Sequence, residues 1–265
     1  MASSTSSTQS QSPLEEEGPF FSDFGITTSG GLYAKNNPFQ RSGPTDAMER
    51  IALANDDLYM RVDLPGVPKE KSFYFLDSNN NNVFFGGLAP KQYQKEHDQE
   101  REYGGFHGLR CGCCKVTKLH ATFTNGVLRM ILSKTESKKN CSPTVPHKLV
   151  DPIGIASSHE VKPDYAVKNP FQTKGPIESF GAKKVKEGFY VRVDMPGVAE
   201  ENVSVGVEDG RVFFSGKSRK ESEHEESGRT YLGSFGPIDV DKLGKIKSDV
   251  KDGVLRMLIP QKGEE

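Results

Sequence analysis

A nine-residue segment occurs twice in this chain, and this duplication restricts the fold more than any other feature. Residues 59–67 read Tyr-Met-Arg-Val-Asp-Leu-Pro-Gly-Val and residues 190–198 read Tyr-Val-Arg-Val-Asp-Met-Pro-Gly-Val, so seven of nine positions are identical. An Asn-Pro-Phe-Gln segment precedes each copy, at residues 37–40 and 169–172. Because self-similarity at a fixed spacing defines the structural unit, we predict two similar domains.

The residues around each copy predict short strands joined by tight turns. Apolar and polar side chains alternate over residues 58–64 and 189–195, which is typical of a half-buried strand. Pro-Gly then ends each strand, because proline donates no ladder hydrogen bond. Strands at this spacing are typical of a β-sandwich. Two-residue hairpin turns with positive φ are predicted at Asn125-Gly126, Asp209-Gly210 and Asp252-Gly253.

Two other kinds of segment recur in both repeats. The proline-containing lead-ins are predicted to be extended, with Phe39 and Phe171 each covering part of the domain that follows it. The charged stretches at residues 91–102 and 217–229 are predicted to be solvated loops rather than helices.

These patterns predict an all-β chain with two tandem β-sandwich domains. The first domain is predicted at residues 33–135 and the second at residues 167–262. Residues 136–166 contain prolines and little periodicity, so we predict a linker there. Residues 1–32 are predicted to be a disordered arm, because their Ser/Thr/Gln-rich part buries too little apolar surface to become ordered.

The N-terminal arm also contains three phenylalanines, Phe20, Phe21 and Phe24. One interpretation is an apolar patch without a partner. The other is a segment that binds a partner or mediates self-association.

Charge and cysteine content exclude several classes of partner. The chain has 35 Lys and Arg residues against 36 Asp and Glu residues, so we expect neither direct nucleic-acid binding nor attraction to a membrane. No apolar run approaches the ~20 residues that span a bilayer. The four cysteines do not resemble a disulfide framework, which favours a reducing compartment. We expect the cytoplasm, with the nucleus as the alternative.

One cysteine cluster is a candidate for metal or redox chemistry. Cys111, Cys113 and Cys114 lie near His107 and His120, and thiolates and imidazoles are ligands of zinc. The cluster lacks a C-x-x-C pair and no second pair follows it, so we predict no metal site. Reduced thiols without a function and a redox-sensitive cluster are the two alternatives. Phosphate-binding and nucleophile motifs are absent, so we predict no enzyme and no cofactor.

Taken in order, these landmarks resemble the α-crystallin domain of small heat-shock proteins. They are the strand ending in Pro-Gly, the hairpin ending in Val-Phe-Phe, the charged loop, and the closing Gly-Val-Leu at residues 126–128 and 253–255. Two such domains in one chain resemble plant-type members of that family. The resemblance implies immunoglobulin-like sandwiches and an ATP-independent chaperone, or holdase, that binds exposed apolar segments of unfolding proteins.

The resemblance also implies a groove beside an apolar sheet edge that accepts an added peptide strand. In the family the groove binds an Ile-x-Ile segment of the C-terminal tail, which residues 260–265 lack. The triplet occurs here only with Ile153 and Ile155, in the linker. We hypothesise that it docks in a groove; linker isoleucines without a role are an equal alternative. The candidate groove residues for clients or partners are Val127, Leu128, Ile131, Val254, Leu255 and Leu258.

A second departure from the family concerns pairing. Residues 233–238 lack the arginine that relatives place at the dimer contact, and the first repeat has only Arg110 near the matching strand. Since the linker gives the two domains a high effective concentration, we expect them to pair with each other, with self-association as the alternative. The chaperone function is preferred. The alternative is a non-chaperone adaptor that bridges specific partners in a larger complex, for example in the nucleus.

Overall fold

The computed structural model describes residues 37–53, 57–92, 98–108, 115–135, 169, 171–176 and 178–261. These residues form sixteen β-strands and no α-helix, which confirms the all-β prediction. The strands of the first repeat are β1 (Gln40–Ser42), β2 (Met48–Ala52), β3 (Leu58–Asp63), β4 (Ser72–Leu76), β5 (Asn82–Ala89), β6 (Arg101–Gly108), β7 (Val116–Thr124) and β8 (Val127–Lys134). Those of the second repeat are β9 (Gln172–Lys174), β10 (Phe180–Val185), β11 (Gly188–Asp194), β12 (Val203–Glu208), β13 (Arg211–Lys217), β14 (Thr230–Phe235), β15 (Lys247–Lys251) and β16 (Val254–Pro260).

The strands form four antiparallel sheets of four strands each. Their orders are β2-β3-β8-β7, β4-β5-β6-β9, β10-β11-β16-β15 and β1-β14-β13-β12. The first two sheets enclose one apolar core, which includes Met60, Phe85 and Leu128. The other two enclose a second core, which includes Val191 and Phe214. The apolar side of each predicted alternating strand therefore supplies a sandwich core.

The tight turns lie where the sequence predicts them. Asn125, Asp209 and Asp252 have φ values of 48°, 48° and 50°, and the glycine after each has a φ near +70°. Two successive positive φ angles match the twist of the flanking strands, and few residues other than glycine, Asn and Asp adopt them readily. The three hairpin predictions are confirmed.

The lead-in segments are exchanged between the repeats. Strand β1 pairs with β14 of the second repeat, and β9 pairs with β6 of the first. Phe39 is fully buried, with its ring 5.0 Å from that of Phe214 and 5.2 Å from that of Phe180. Phe171 packs against Phe85, at 5.2 Å between centroids. The prediction that each phenylalanine covers the domain that follows it is therefore wrong, because each enters the core of the other repeat.

Candidate functional site

The predicted groove residues lie on strands in the interior of their sheets. Strand β8 pairs with β3 and β7, and β16 pairs with β11 and β15, so the backbone groups of both strands are already used within the sheet. Ile131 is half-buried, and the other five side chains are buried: Val127, Leu128, Val254, Leu255 and Leu258. The prediction that these strands form an accepting edge is wrong.

Other strands end the sheets, and one of them is aromatic and exposed. Within the described residues β4 pairs only with β5, and β7 only with β8. On β4 the side chains of Phe73, Tyr74 and Phe75 are 45%, 42% and 52% exposed. An edge strand presents unpaired N–H and C=O groups, and its side chains select the segment that adds to it. Strand β4 is therefore the candidate binding edge.

Several predicted features lie outside the described residues. These are the arm residues Phe20, Phe21 and Phe24, the linker residues Ile153 and Ile155, and the cysteines Cys111, Cys113 and Cys114. Within the part of the chain that the structure describes, no group of three His, Cys, Asp or Glu side chains is arranged to hold a metal ion. The same residues include no helix with the length and apolar character needed to cross a membrane.

The polar face of the repeated strand is buried against the other repeat. Arg61 and Asp63, on β3, are at most 5% exposed. Asp63 Oδ2 lies 2.8 Å from Nη2 of Arg229 in the second repeat. The matching pair has Asp194 Oδ2 at 2.7 Å from Nη1 of Arg101. The half-buried strand prediction is wrong for this face, because it contacts protein instead of water.

A second set of ion pairs connects each charged loop to the other repeat. Glu225 Oε1 lies 2.7 Å from Nε of Arg129 and accepts a hydrogen bond of 2.8 Å from the Tyr59 hydroxyl. In the mirrored contact, Asp98 Oδ2 lies 2.9 Å from Nε of Arg256. Asp98 and Glu225 are buried, as are Arg101, Ser218 and Arg229 of the same two stretches, so the solvated-loop prediction is wrong at these positions.

The repeated Pro-Gly turns contact the closing hairpin turns of the other repeat. The Gly66 N–H donates to the Asp252 carbonyl at 2.8 Å, and the Gly197 N–H donates to the Asn125 carbonyl at 2.9 Å. A Cβ at Gly253 would lie only 2.3 Å from the Asn125 carbonyl oxygen. The backbones of the Pro-Gly turns and the hairpin turns are therefore in direct contact, which glycine permits because it has no Cβ.

The buried contacts change the pKa values of the groups that make them. Burial alone would lower the pKa of the Arg101 and Arg229 guanidinium groups, but the carboxylates of Asp194 and Asp63 outweigh it and raise both. Burial raises the pKa of Tyr231 to about 12. Arg101 and Arg229 are therefore charged at every physiological pH.

The loop carboxylates respond in the opposite direction. Burial alone would raise the pKa of Asp98, but the Arg256 charge and backbone N–H donors outweigh it and lower the pKa. Burial alone would also raise the pKa of Glu225. The hydrogen bond and positive charge of Arg129, together with the hydrogen bond from the Tyr59 hydroxyl, outweigh burial and lower this pKa. Both groups therefore stabilise the folded chain as carboxylates.

These two lowered pKa values predict acid sensitivity. A carboxylate whose pKa is lower in the folded than in the unfolded chain stabilises the fold above the unfolded value, about 4 for Asp and Glu. We expect the free energy of unfolding to be level with respect to these groups above about pH 5 and to fall below about pH 4. Urea unfolding at successive pH values measures this. The Asp98→Asn/Glu225→Gln chain should show a shallower decline, and an equally steep one would contradict the assignment.

Sequence reasoning missed the residues that join the repeats, although one signal marks them. Tyr, Arg and Asp of the polar face are identical in both copies, whereas two of the apolar positions differ. A solvated face does not require identity, so this pattern indicates a buried polar contact. The arginines that make it, Arg101 and Arg229, stand near the start of β6 and β14 instead of within residues 233–238.

Comparison with known proteins gives a family match over most of the chain. The model of a family described as "Predicted plant small heat shock protein" matches residues 26–262. The "Putative 57 kDa heat shock protein" of Arabidopsis thaliana is 38% identical over 105 residues, which are 39% of this chain and 20% of that protein. The mitochondrial heat shock 22 kDa protein of Glycine max is 35% identical over 85 residues, 32% of this chain and 40% of that one. The chain thus spans less than half of each relative.

Among solved structures, heat shock protein 16.0 of Schizosaccharomyces pombe matches part of the chain. It has 20% sequence identity and a TM-score of 0.27, and the match covers 36% of this chain and 80% of that one.

Proposed function

Because the chain belongs to the plant small heat-shock protein family, whose model matches residues 26–262, we propose that it is an ATP-independent chaperone of the holdase type. It binds exposed apolar segments of unfolding proteins and keeps them from aggregating. It catalyses no reaction and needs no cofactor, since holding a client requires only surface contacts.

The exposed β4 edge is the observation that carries this proposal. Three consecutive aromatic side chains, Phe73, Tyr74 and Phe75, are each at least 42% exposed. A soluble protein that does not use such a strand protects its edge with charges, proline or a bulge. An extended apolar segment of a client would pair with the backbone of β4 and bury its side chains against these rings.

Replacing Tyr74 by Lys tests the edge directly. A charge on an edge strand opposes the addition of another strand, so we expect several-fold weaker protection of a thermally unfolding model enzyme at equal molar ratio. Light scattering during heating measures aggregation of the client.

The matched control is Val240→Lys, which places the same charge on an exposed apolar residue in a 3-10 turn. We expect it to protect as the unchanged chain does. If the unchanged chain gives no protection, the holdase proposal is wrong; if Tyr74→Lys protects fully, β4 is not the binding edge.

The contact between the repeats favours a second candidate, an adaptor that bridges specific protein partners. Ion pairs such as Arg229–Asp63 and Arg101–Asp194 bury the polar faces of the repeated strands between the two repeats of one chain. That surface is then not free for assembly into large oligomers. A stable monomer or dimer that gives no client protection would support the adaptor over the chaperone.

We propose the cytoplasm as the compartment, with the nucleus as the alternative. The four cysteines are spaced unlike a disulfide framework, which supports an intracellular, reducing location. Microscopy of the chain with a fluorescent protein at its C-terminus tests this. Signal confined to mitochondria, the compartment in the name of the Glycine max relative, would contradict it.

A further inference from the structure

The outer face of one sheet in the first repeat carries four neighbouring phenylalanines. The registers Phe75↔Phe84 and Phe84↔Phe106 place these three side chains on the same side of β4, β5 and β6. Their rings are 5.3 Å and 5.6 Å apart, and Phe73 lies 6.1 Å from Phe75. We call Phe73, Phe75, Phe84 and Phe106 the aromatic face.

The second repeat lacks this surface. In the second repeat, the strand registers place Ser204, Gly206, Phe213 and Ser234 at the positions of Phe73, Phe75, Phe84 and Phe106, respectively. Since the second sandwich forms with a single phenylalanine there, the other three are not needed for the fold. Exposed apolar clusters of this kind mark interaction sites.

The aromatic face also has an open position at one corner, on β6. Gly104 pairs with Gly86, and a Cβ built at Gly104 would meet no atom within 4 Å. The ring of Phe73 already covers Gly86, where a Cβ would lie 2.6 Å from it. The residue that matches Gly104 in the second repeat is Leu232, which is 48% exposed. The first repeat therefore has a hollow beside its rings where the second has a side chain.

Positive charge lies next to the Phe73 end of the aromatic face, whereas beside the hollow Glu102 is paired with Lys174 at 3.0 Å. The 3-10 turn Lys69–Lys71 immediately precedes β4 and contains two exposed lysines and one glutamate. A segment that fits this region carries aromatic side chains, with acidic residues a few positions away. Residues 15–24 of the same chain read Glu-Glu-Glu-Gly-Pro-Phe-Phe-Ser-Asp-Phe, which has both features in one stretch.

We propose that the aromatic face is the docking site of the chain's own segment Phe20–Phe24. One phenylalanine of the segment fills the hollow over Gly104, and Glu15, Glu16 and Glu17 lie toward the lysines of the preceding turn. About a dozen residues separate Phe24 from Asn37, where the described chain begins. That length spans up to about 40 Å when extended, more than the diameter of a small domain.

A single tryptophan reports on this docking, because the chain has none of its own. In the full chain carrying Phe21→Trp, we expect blue-shifted emission and weak quenching by acrylamide, both independent of protein concentration. Adding Gly104→Leu fills the hollow while every phenylalanine stays in place. We expect it to shift the emission to the red and to raise the quenching constant several-fold.

A second variant and a control separate docking from loss of folding. The double variant Phe73→Ser/Phe106→Ser introduces the residues found at the matching positions of the second repeat, Ser204 and Ser234. We expect it to shift the emission to the red and raise the quenching constant, as Gly104→Leu does. Gly206→Leu adds the same side chain to open space on the second repeat and should leave the emission blue-shifted.

Three outcomes would overturn the proposal. The first is solvent-like emission in the Phe21→Trp chain, and the second is unchanged emission in both variants of the aromatic face. The third is a blue shift that disappears on dilution, which would mean that the segment binds the aromatic face of a second copy of the chain. The measurement needs no client, so its result is independent of the holdase proposal.

Discussion

Replacing Arg229 by Met should lower the free energy of unfolding by about 3–5 kcal/mol, because it leaves a buried carboxylate without its partner. Arg229 and Asp63 are both at most 5% exposed, with 2.8 Å between Nη2 and Oδ2. Methionine keeps much of the volume of the arginine stem, so the loss reports on charge pairing rather than on a cavity. Urea unfolding at neutral pH measures the change.

The matched control is Lys174→Met, in the exposed pair with Glu102 at 3.0 Å. Exposed ion pairs contribute about 0–1 kcal/mol, so we expect little change. Adding Asp63→Leu to Arg229→Met removes the unpaired carboxylate and should restore much of the stability. If Arg229→Met and Lys174→Met behave alike, Arg229 does not make a buried contact between the repeats.

The second large effect is expected for Phe39→Ala, about 3–5 kcal/mol of lost stability. Phe39 is fully buried and contacts three rings of the second core, those of Phe180, Phe214 and Phe235. Truncation leaves a cavity in that core, although the residue belongs to the first repeat in sequence. Thermal and urea unfolding of the full chain check the expectation.

Phe213→Ala is the control for this prediction, since the same side chain is removed from a position that is 36% exposed. We expect less than half the loss seen with Phe39→Ala, because less apolar surface returns to water. A loss below about 1 kcal/mol for Phe39→Ala would mean that the lead-in is not packed in the second core.

Features of the fold that depend on local sequence could be predicted well. Asn125-Gly126 and Asp252-Gly253 adopt positive φ at both positions because their own chemistry allows it, whatever lies around them. Strands β2 and β10 were not predicted. Both end their sheets, so charged side chains interrupt their apolar pattern, as Lys183 does in β10.

The partners of the strands could not be predicted from the same information. Two sandwiches with the same strand pattern offer Phe39 similar sites, and local pattern does not distinguish the following domain from the other one. For the same reason Leu128 and Leu255 were assigned to an edge. Strand order depends on pairing between distant segments, and it places both residues in interior strands.

The polar face of the repeated strand shows a further limit of pattern reasoning. Alternation indicates which side of β3 is apolar, but it does not exclude a protein surface on the polar side. Arg61 and Asp63 read as solvated residues, yet they are buried because Arg229 is supplied by the other repeat. Only their identity with Arg192 and Asp194 in the second copy points to this.

Calorimetry of the full chain tests most directly whether the exchanged lead-ins and buried ion pairs join the two repeats into one unit. The contacts predict a single heat-absorption peak whose calorimetric enthalpy equals the van't Hoff enthalpy. They also predict that Arg229→Met moves the whole peak to lower temperature. Two separate transitions, of which Arg229→Met shifts only one, would contradict the account.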